Sequence, residues 1–389
     1  MLICLLAISP NAHSQFITNF SGTEIYVSSK EILSITEGEF VNNGTVTNRG
    51  SLYIGGDWTN NETYSLIDSG RFILSGDKPQ LINHNNQSVY TLIIDGAGEK
   101  TLGSDLSVVN TFELVNGLIT PTENFLLTMN DGTIVQDGNN NSYVNGALYH
   151  VGIGDKLYPI GKNNHYSPVT LLDVQGDAPT IGFEVFEPNT DPQYPKVLQS
   201  VSETRYWKKT ILAGTLDGGR INLRIAEDEG IDDITLAVIT ATETLGGIFK
   251  SMGIHELLHI DDPQKTSVTS NNNIIAAVDY YAIGEEFDFS KIECVPNAFS
   301  TASPNTDENV LKVYCTNLNE ENFSFTIFDK WGLIVYDTKS VEVATQKGWD
   351  GINPITGLKA KNDVYRYILS GRYNNGKTFK KFGTITKLN

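Results

Sequence analysis

His255-Glu256-Leu-Leu-His259 matches the H-E-x-x-H pattern letter for letter. On an α-helix the two imidazoles would stand one turn apart and could hold zinc, with Glu256 as the general base of a hydrolase. The flanking residues withhold that helix. Gly246-Gly247 and Gly253 come just before the motif and Asp261-Asp262-Pro263 just after it, so only Ile254 to Ile260 remain. A third ligand is also missing. Asp262 and Lys265 stand where the elongated form of the motif has Gly and His, and no glutamate follows before Glu285. The segment reads as a chance match in a strand or loop, with no metal or cofactor expected. A zinc hydrolase using His255, Glu256 and His259 is the competing reading.

The other chemistry-bearing residues are more diffuse. Asp57, Asp77, Asp95 and Asp105, with Arg49 and Arg71, could gather in a groove and cleave a polysaccharide. Each lies in a turn string, where aspartate usually bonds nearby backbone. Glu227-Asp-Glu229, Asp232-Asp233 and Asp261-Asp262 are acidic enough for calcium, yet the spaced D-x-[DN]-x-[DN]-G loop is absent, so they read as solvated turn charge. Tyr53, Trp58, Tyr64 and Tyr90 could stack on sugar rings or pack inside strands. There is no Gly-rich phosphate loop, no Cys/His triad spacing and no basic nucleic-acid module.

The elements that must carry these residues are strands. Gly, Asn and Thr separate short β-branched and aromatic runs over most of the 389 residues, and helical periodicity is almost absent. Four segments, Leu52-Tyr-Ile54, Phe72-Ile-Leu74, Leu92-Ile-Ile94 and Phe112-Glu-Leu114, begin 20 residues apart in succession. A period near 20 with one or two short strands per unit predicts a β-solenoid over residues 20–142, of five or six coils, in which stacking buries an apolar pair that no single coil can bury. From about Tyr143 the period is lost. Longer strand patterns such as Thr180-Ile-Gly-Phe-Glu-Val-Phe186 and Arg220-Ile-Asn-Leu-Arg-Ile225 predict an antiparallel β-sandwich over 143–286.

Charge is uneven. The chain carries −18 overall, but Lys359 to Asn389 hold eight basic residues against one acidic, a local +7 that leaves −25 for the rest. That acidic body disfavours nucleic acid and anionic membrane as partners. The apolar run from Leu2 to Ile8, followed by small residues, reads as a secretory signal peptide over residues 1–15. It lacks a basic segment ahead of it, which leaves the true start of the leader open. It is too short to span a bilayer, and nothing else reads as a membrane helix, so the protein is not expected to be integral to a membrane.

The last hundred residues carry the most specific pattern. Phe323, Phe325 and Ile327 alternate with polar neighbours, Trp331-Gly332 breaks the alternation, and Leu333-Ile-Val-Tyr336 resumes it. Pro296-Asn-Ala-Phe-Ser300, Pro304-Asn305, Ile327-Phe-Asp-Lys-Trp-Gly332, Trp349-Asp-Gly351, Asp363-Val-Tyr365 and Gly383-Thr-Ile-Thr-Lys-Leu388 follow in order. This segment, 292–389, resembles the gliding motility-associated C-terminal domain, the type B sorting domain of the type IX secretion system of Bacteroidetes. One departure is clear: Ser303-Pro-Asn-Thr-Asp-Glu-Asn309 lacks the glycines usual in that loop.

The resemblance implies an Ig-like β-sandwich, passage through the periplasm, export across the outer membrane, and display on the cell surface or release. It also implies a cognate outer-membrane partner besides the secretion machinery. The recognition surface is expected at Lys330, Trp331 and Gly332, at Trp349, Asp350 and Gly351, and at Lys380, Lys381 and Lys387. Trp331 and Trp349 are also expected to anchor the domain's core. Cys294 and Cys315, in the same domain, could form a disulfide or lie buried as thiols. The preceding passenger reads as a non-enzymatic surface or adhesion module, with surface glycans as a candidate ligand.

Overall fold

The computed structural model describes residues 16–262, 265–288, 293–303, 309–373 and 378–389. The expected leader, residues 1–15, and the Pro304-Asn305 pair lie outside the described residues. The fold is all-β, 52% strand and 4% helix. It forms two compact units, one ending at Glu286 and one beginning at Phe287.

The first unit opens with a β-solenoid of about 7 turns. Its first coil comprises Ile17–Asn19, Glu24–Val27 and Ile32–Ile35. Each strand starts a parallel stack with its counterpart in the next coil, onto Phe40–Asn42, Thr45–Asn48 and Ser51–Ile54 respectively. The 20-residue repeat fixes the register: Leu52 faces Phe72, which faces Leu92, which faces Phe112. These residues, and Ile54, Leu74, Ile94 and Leu114 two positions on, are all buried. At roughly 1.5–3 kcal/mol per fully buried large apolar side chain, such columns are the main stabilising term of the coil stack. There are more coils than the five or six expected.

Polar side chains close the corners. Asn19, Asn42 and Asn60 form a buried ladder, each amide nitrogen donating to the next coil's amide oxygen, at 2.7 and 2.6 Å. Lys100, fully buried, donates its ammonium protons to the carbonyls of Gly76 (2.9 Å), Gly96 and Gly98. Burial lowers its pKa to about 8, against the opposing pull of Asp77 and Asp95. The chain passes so closely at these corners that a methyl group on Gly56 would fall 1.6 Å from the Gly38 carbonyl oxygen.

The strand Leu148–Val151 joins solenoid to sandwich. It pairs in parallel with Leu127–Met129 on one side and antiparallel with Thr180–Phe186 on the other. One 14-stranded sheet therefore runs from the solenoid through Tyr206–Ala213 and Tyr280–Glu286 to Ala237–Thr242 and Lys250–Ser251. A five-stranded antiparallel sheet forms the other layer: Gly154–Tyr158, Val169–Gln175, Gly218–Arg224, Ser267–Ser270 and Ile254–Leu258. A single hydrophobic cluster extends from Ile35 to Ile283, so the core is continuous across positions 142 and 143.

The second unit has its own core around Phe325, Ile327, Trp349, Leu369 and Ile385. Its sheet follows the order Ala298–Ser300, Thr378–Leu388, Val364–Tyr373, Leu318–Phe328, Ile334–Thr338, with only the first pairing parallel. Leu311, Val313, Ala344 and the Cys294–Cys315 disulfide belong to the same buried cluster.

Candidate functional site

The H-E-x-x-H segment lies on a strand. Ile254–Leu258 forms the edge of the five-stranded sheet, pairs only with Ser267–Ser270, and carries a bulge between Ile254 and Glu256. His255 and Glu256 are exposed, and His259 lies past the strand end with φ 53°. Four residues of extended chain span on the order of 13 Å, against about 6 Å along a helix. The paired-imidazole presentation that a zincin needs is not built. Among the described residues, no group of three or more His, Cys, Asp or Glu side chains converges to hold a metal ion.

The solenoid uses its conspicuous residues internally. Trp58 and Tyr64, which the sequence offers as sugar-stacking rings, are buried. Trp58 stacks on Phe40 at 4.9 Å, meets Phe72 edge-on at 5.1 Å, and donates its indole N–H to His84 Nδ1 at 2.9 Å. Burial holds the His84 pKa near 3, so the ring stays neutral and can accept that bond. Tyr53 and Tyr90 are only half-buried. The aspartates do not gather in a groove. Asp57 accepts from the Leu81 N–H (2.8 Å), Asp77 from Ala97 (3.0 Å) and Asp105 from Leu126 (2.8 Å). Each ties its turn to the following coil rather than to its own backbone.

A buried charge cluster escapes sequence reasoning. Arg205 is almost fully buried, and its guanidinium meets three carboxylates: Asp228, Glu187 at 3.3 Å and Glu229 at 3.4 Å. It also donates to Ser167 Oγ at 3.0 Å. Glu229, expected as solvated turn charge, is buried instead, and burial raises its pKa to about 7. Arg205 and the Ser202 hydroxyl oppose that rise, while Asp228 and Glu187 add to it. Arg205, Asp228, His165, Tyr166 and Arg224 line a polar cavity of about 220 Å³ beside the cluster. Glu187 follows the strand Thr180–Phe186, Arg205 precedes Tyr206–Ala213, and Asp228 and Glu229 lie on the short 3-10 helix Glu227–Glu229, so no local spacing announces them.

In the second unit the sequence-predicted recognition residues divide into two sets. Trp349, Gly351 and Lys387 are interior. The Trp349 ring lies 5.3 Å from Tyr365 and 5.4 Å from Phe299, and its N–H donates to the Ile352 carbonyl at 2.9 Å. Asp350 Oδ1 accepts from the Ile352 N–H at 2.9 Å, which closes the turn. Gly351, at φ +81°, leaves room for the Lys387 stem, and Lys387 Nζ reaches Asn362 Oδ1 at 3.0 Å. Burial lowers the Lys387 pKa, and nearby Lys359 adds to that. This set holds the domain together.

The other set faces solvent. Trp331, expected in the core, is 78% exposed. It sits at the tip of a turn whose Asp329 Oδ1 accepts from both the Trp331 and Leu333 N–H groups at 2.9 Å, with Gly332 at φ +83°. The break in alternation at Trp331-Gly332 is this turn, but an aromatic residue reads as core by type, which is why the exposed ring is missed. Lys330 bonds Asp363 at 2.9 Å, which raises the lysine pKa and lowers that of the carboxylate. Its ammonium lies 5.8 Å over the Trp331 ring. The turn is a ridge between two concavities. One, of about 610 Å³, lies against the sheet beside Arg366, Ile368 and Phe382; the other, of about 410 Å³, beside Leu358, Lys359 and Lys361. Lys380 is exposed on the same strand as Phe382, and Lys381 is half-buried with its pKa lowered by burial.

Residues 294–386, which take in all five strands of the second unit nearly to their end, match the CHU_C Type IX secretion signal domain, the C-terminal sorting domain of gliding motility-associated proteins. That signal implies handling by the type IX secretion system and export to the cell surface or extracellular space. No helix of the described residues is long and apolar enough to cross a membrane. Comparison with curated proteins finds no match, and neither does comparison with solved structures.

Proposed function

We propose that the chain is a non-enzymatic surface protein, an adhesive or structural passenger delivered by its C-terminal domain. The exposed turn Lys330-Trp331-Gly332, with the outer sheet face bearing Arg366, Lys380 and Phe382, is what a cognate outer-membrane partner reads. The supporting observation is the contrast between the two motif tryptophans. Trp349 is packed inside, while Trp331 is held out on a turn whose Asp329 carboxylate accepts from both the Trp331 and the Leu333 N–H. An exposed aromatic beside arginine and lysine has the composition of an interaction hot spot. The passenger reading is supported by aspartates engaged in coil-to-coil bonds and by an H-E-x-x-H segment spread along a strand.

Removing residues 287–389 takes away one compact unit and leaves the passenger core whole. Export assayed in the native host should then stop, and unchanged export would overturn the reading. Lys330→Ala with Trp331→Ala should reduce export while the domain stays folded. For the passenger, purified protein should contain no stoichiometric zinc; zinc lost on His255→Ala and His259→Ala would replace adhesion with hydrolysis. Tyr53 and Tyr90 make surface glycans the ligand class to screen first, on a glycan array.

A further inference from the structure

A second turn, Asn353 to Leu358, stands beside the Trp331 turn. Both turns contribute to the cavity of about 410 Å³, which Lys330, Lys359, Lys361 and Asp363 also line. Four large apolar side chains on these turns face water: Ile355 at 85%, Trp331 at 78%, Leu358 at 69% and Leu333 at 65% exposed. Solvent-facing apolar groups at that density, interleaved with lysines, mark an interaction surface.

The backbone permits these turns to leave water. Asn353 Oδ1 accepts from the Ile355 N–H (2.9 Å) and the Thr356 N–H (3.1 Å), and the Gly357 N–H bonds the Asn353 carbonyl at 2.8 Å. Asp329 does the same service for the Trp331 turn. The Trp331, Gly332 and Leu333 amides of one tip and the Ile355, Thr356 and Gly357 amides of the other are thus bonded internally, which lowers the desolvation cost of leaving water for a lipid boundary. A tryptophan flanked by lysines is the side-chain combination that settles at such a boundary, ring at headgroup depth and ammonium groups at the phosphates.

We propose that these two turns form a peripheral docking patch for the net-anionic phosphate headgroup layer of a lipid bilayer. Trp331, Leu333, Ile355 and Leu358 enter the layer's edge, and Lys359 and Lys361 meet its phosphates. The chain's overall charge of −18 does not forbid this. Charges beyond a Debye length of about 10 Å are largely screened, and within the patch Lys330, Lys359 and Lys361 outnumber Asp329 and Asp363, with Lys330 paired to Asp363 and Lys359 and Lys361 left as its positive excess over Asp329. The inference relies on the export reading only for bringing the domain to a membrane.

The test uses the purified full chain and vesicles of phosphatidylcholine with or without phosphatidylglycerol. Of the four tryptophans, Trp58, Trp207 and Trp349 are buried, so lipid-dependent fluorescence reports on Trp331. The chain should co-sediment with phosphatidylglycerol vesicles and be released by salt, and brominated acyl chains should quench its emission. Lys359→Ala with Lys361→Ala should weaken binding about twenty-five-fold, at roughly fivefold per near-surface lysine. Ile355→Ser with Leu358→Ser should also weaken it, and Trp331→Phe should abolish the quenching. These side chains are exposed, so an unchanged thermal transition serves as the folding control. No binding to phosphatidylglycerol vesicles, equal binding to phosphatidylcholine alone, or indifference to both double variants would overturn the proposal. Vesicle binding needs no secretion machinery, so it can fail while the export reading stands, and the reverse.

Discussion

The solenoid and the C-terminal unit solve the same problem, burying the faces of short strands, in opposite ways. In the solenoid one choice is repeated: Leu52, Phe72, Leu92 and Phe112 occupy the same slot in successive coils, and the polar residues at the corners bond outward to the next coil. In the C-terminal unit nothing repeats. Its core gathers Phe299, Tyr336, Trp349 and Tyr365 from far apart in the chain, and the two tryptophans of its motif take opposite sides of the surface. Repetition spreads stability over many equivalent contacts. A motif-built core concentrates it in a few residues and frees the others for recognition.

The largest expected effect is at that concentration point. Trp349→Ala should destabilise the C-terminal unit by about 4 kcal/mol, as removal of a large buried ring does, whereas Trp331→Ala should change stability by less than about 0.5 kcal/mol. Denaturant unfolding of the two variants would break the comparison if their costs were alike. Next, the Cys294–Cys315 disulfide closes a separation of 21 residues. Reducing it should cost the C-terminal unit about 3 kcal/mol on the chain-entropy account, and should leave the first unit's melting unmoved.

Acid separates the units again. His84 and His150 are buried with pKa values held down to about 3, chiefly by burial, and no histidine of the chain lies beyond residue 286. The unfolded chain therefore binds protons first as pH falls. The stabilisation from these two groups is full above pH 6.5 and is lost progressively from there down towards pH 3, at about 2 kcal/mol for each histidine by pH 5. Glu229 works the other way. Its pKa is raised, so its contribution is present below about 4.5 and is lost as pH rises to about 7. Glu229→Gln should make the first unit's loss of stability from pH 7 to pH 5 steeper, which thermal melts across that range would measure. The smallest effect sharpens the point about repetition. Asp77→Ala removes one inter-coil bond and should cost about 1 kcal/mol, since neighbouring coils keep theirs.

This contrast also explains what the sequence discloses. A spacing of 20 residues recurs because in-register stacking demands it, so the apolar rows and even their partners can be read directly. The strand character of Ile254–Leu258 follows from the glycines and Pro263 around it. The first coil escapes notice because Ile17 and Ile32 face water and the row of Ile32 continues through Ser51, Arg71 and Thr91. The aspartate bonds escape because their partners are 20 or more positions away, beyond any local turn rule. Arg205, Glu187 and Glu229 come together only once the paired strands Thr180–Phe186 and Tyr206–Ala213 meet the short helix Glu227–Glu229, and Trp331 is a core residue by type but a turn tip by position.

The shared strand Leu148–Val151 has a consequence for handling the molecule. Because it is at once the solenoid's final rung and the neighbour of Thr180–Phe186, the sandwich acts as a stopper on an otherwise self-templating stack. A fragment cut at residue 142 would present a raw parallel edge, the kind that recruits further chains into fibres. Anyone wishing to borrow the repeats as a scaffold should take the stopper with them.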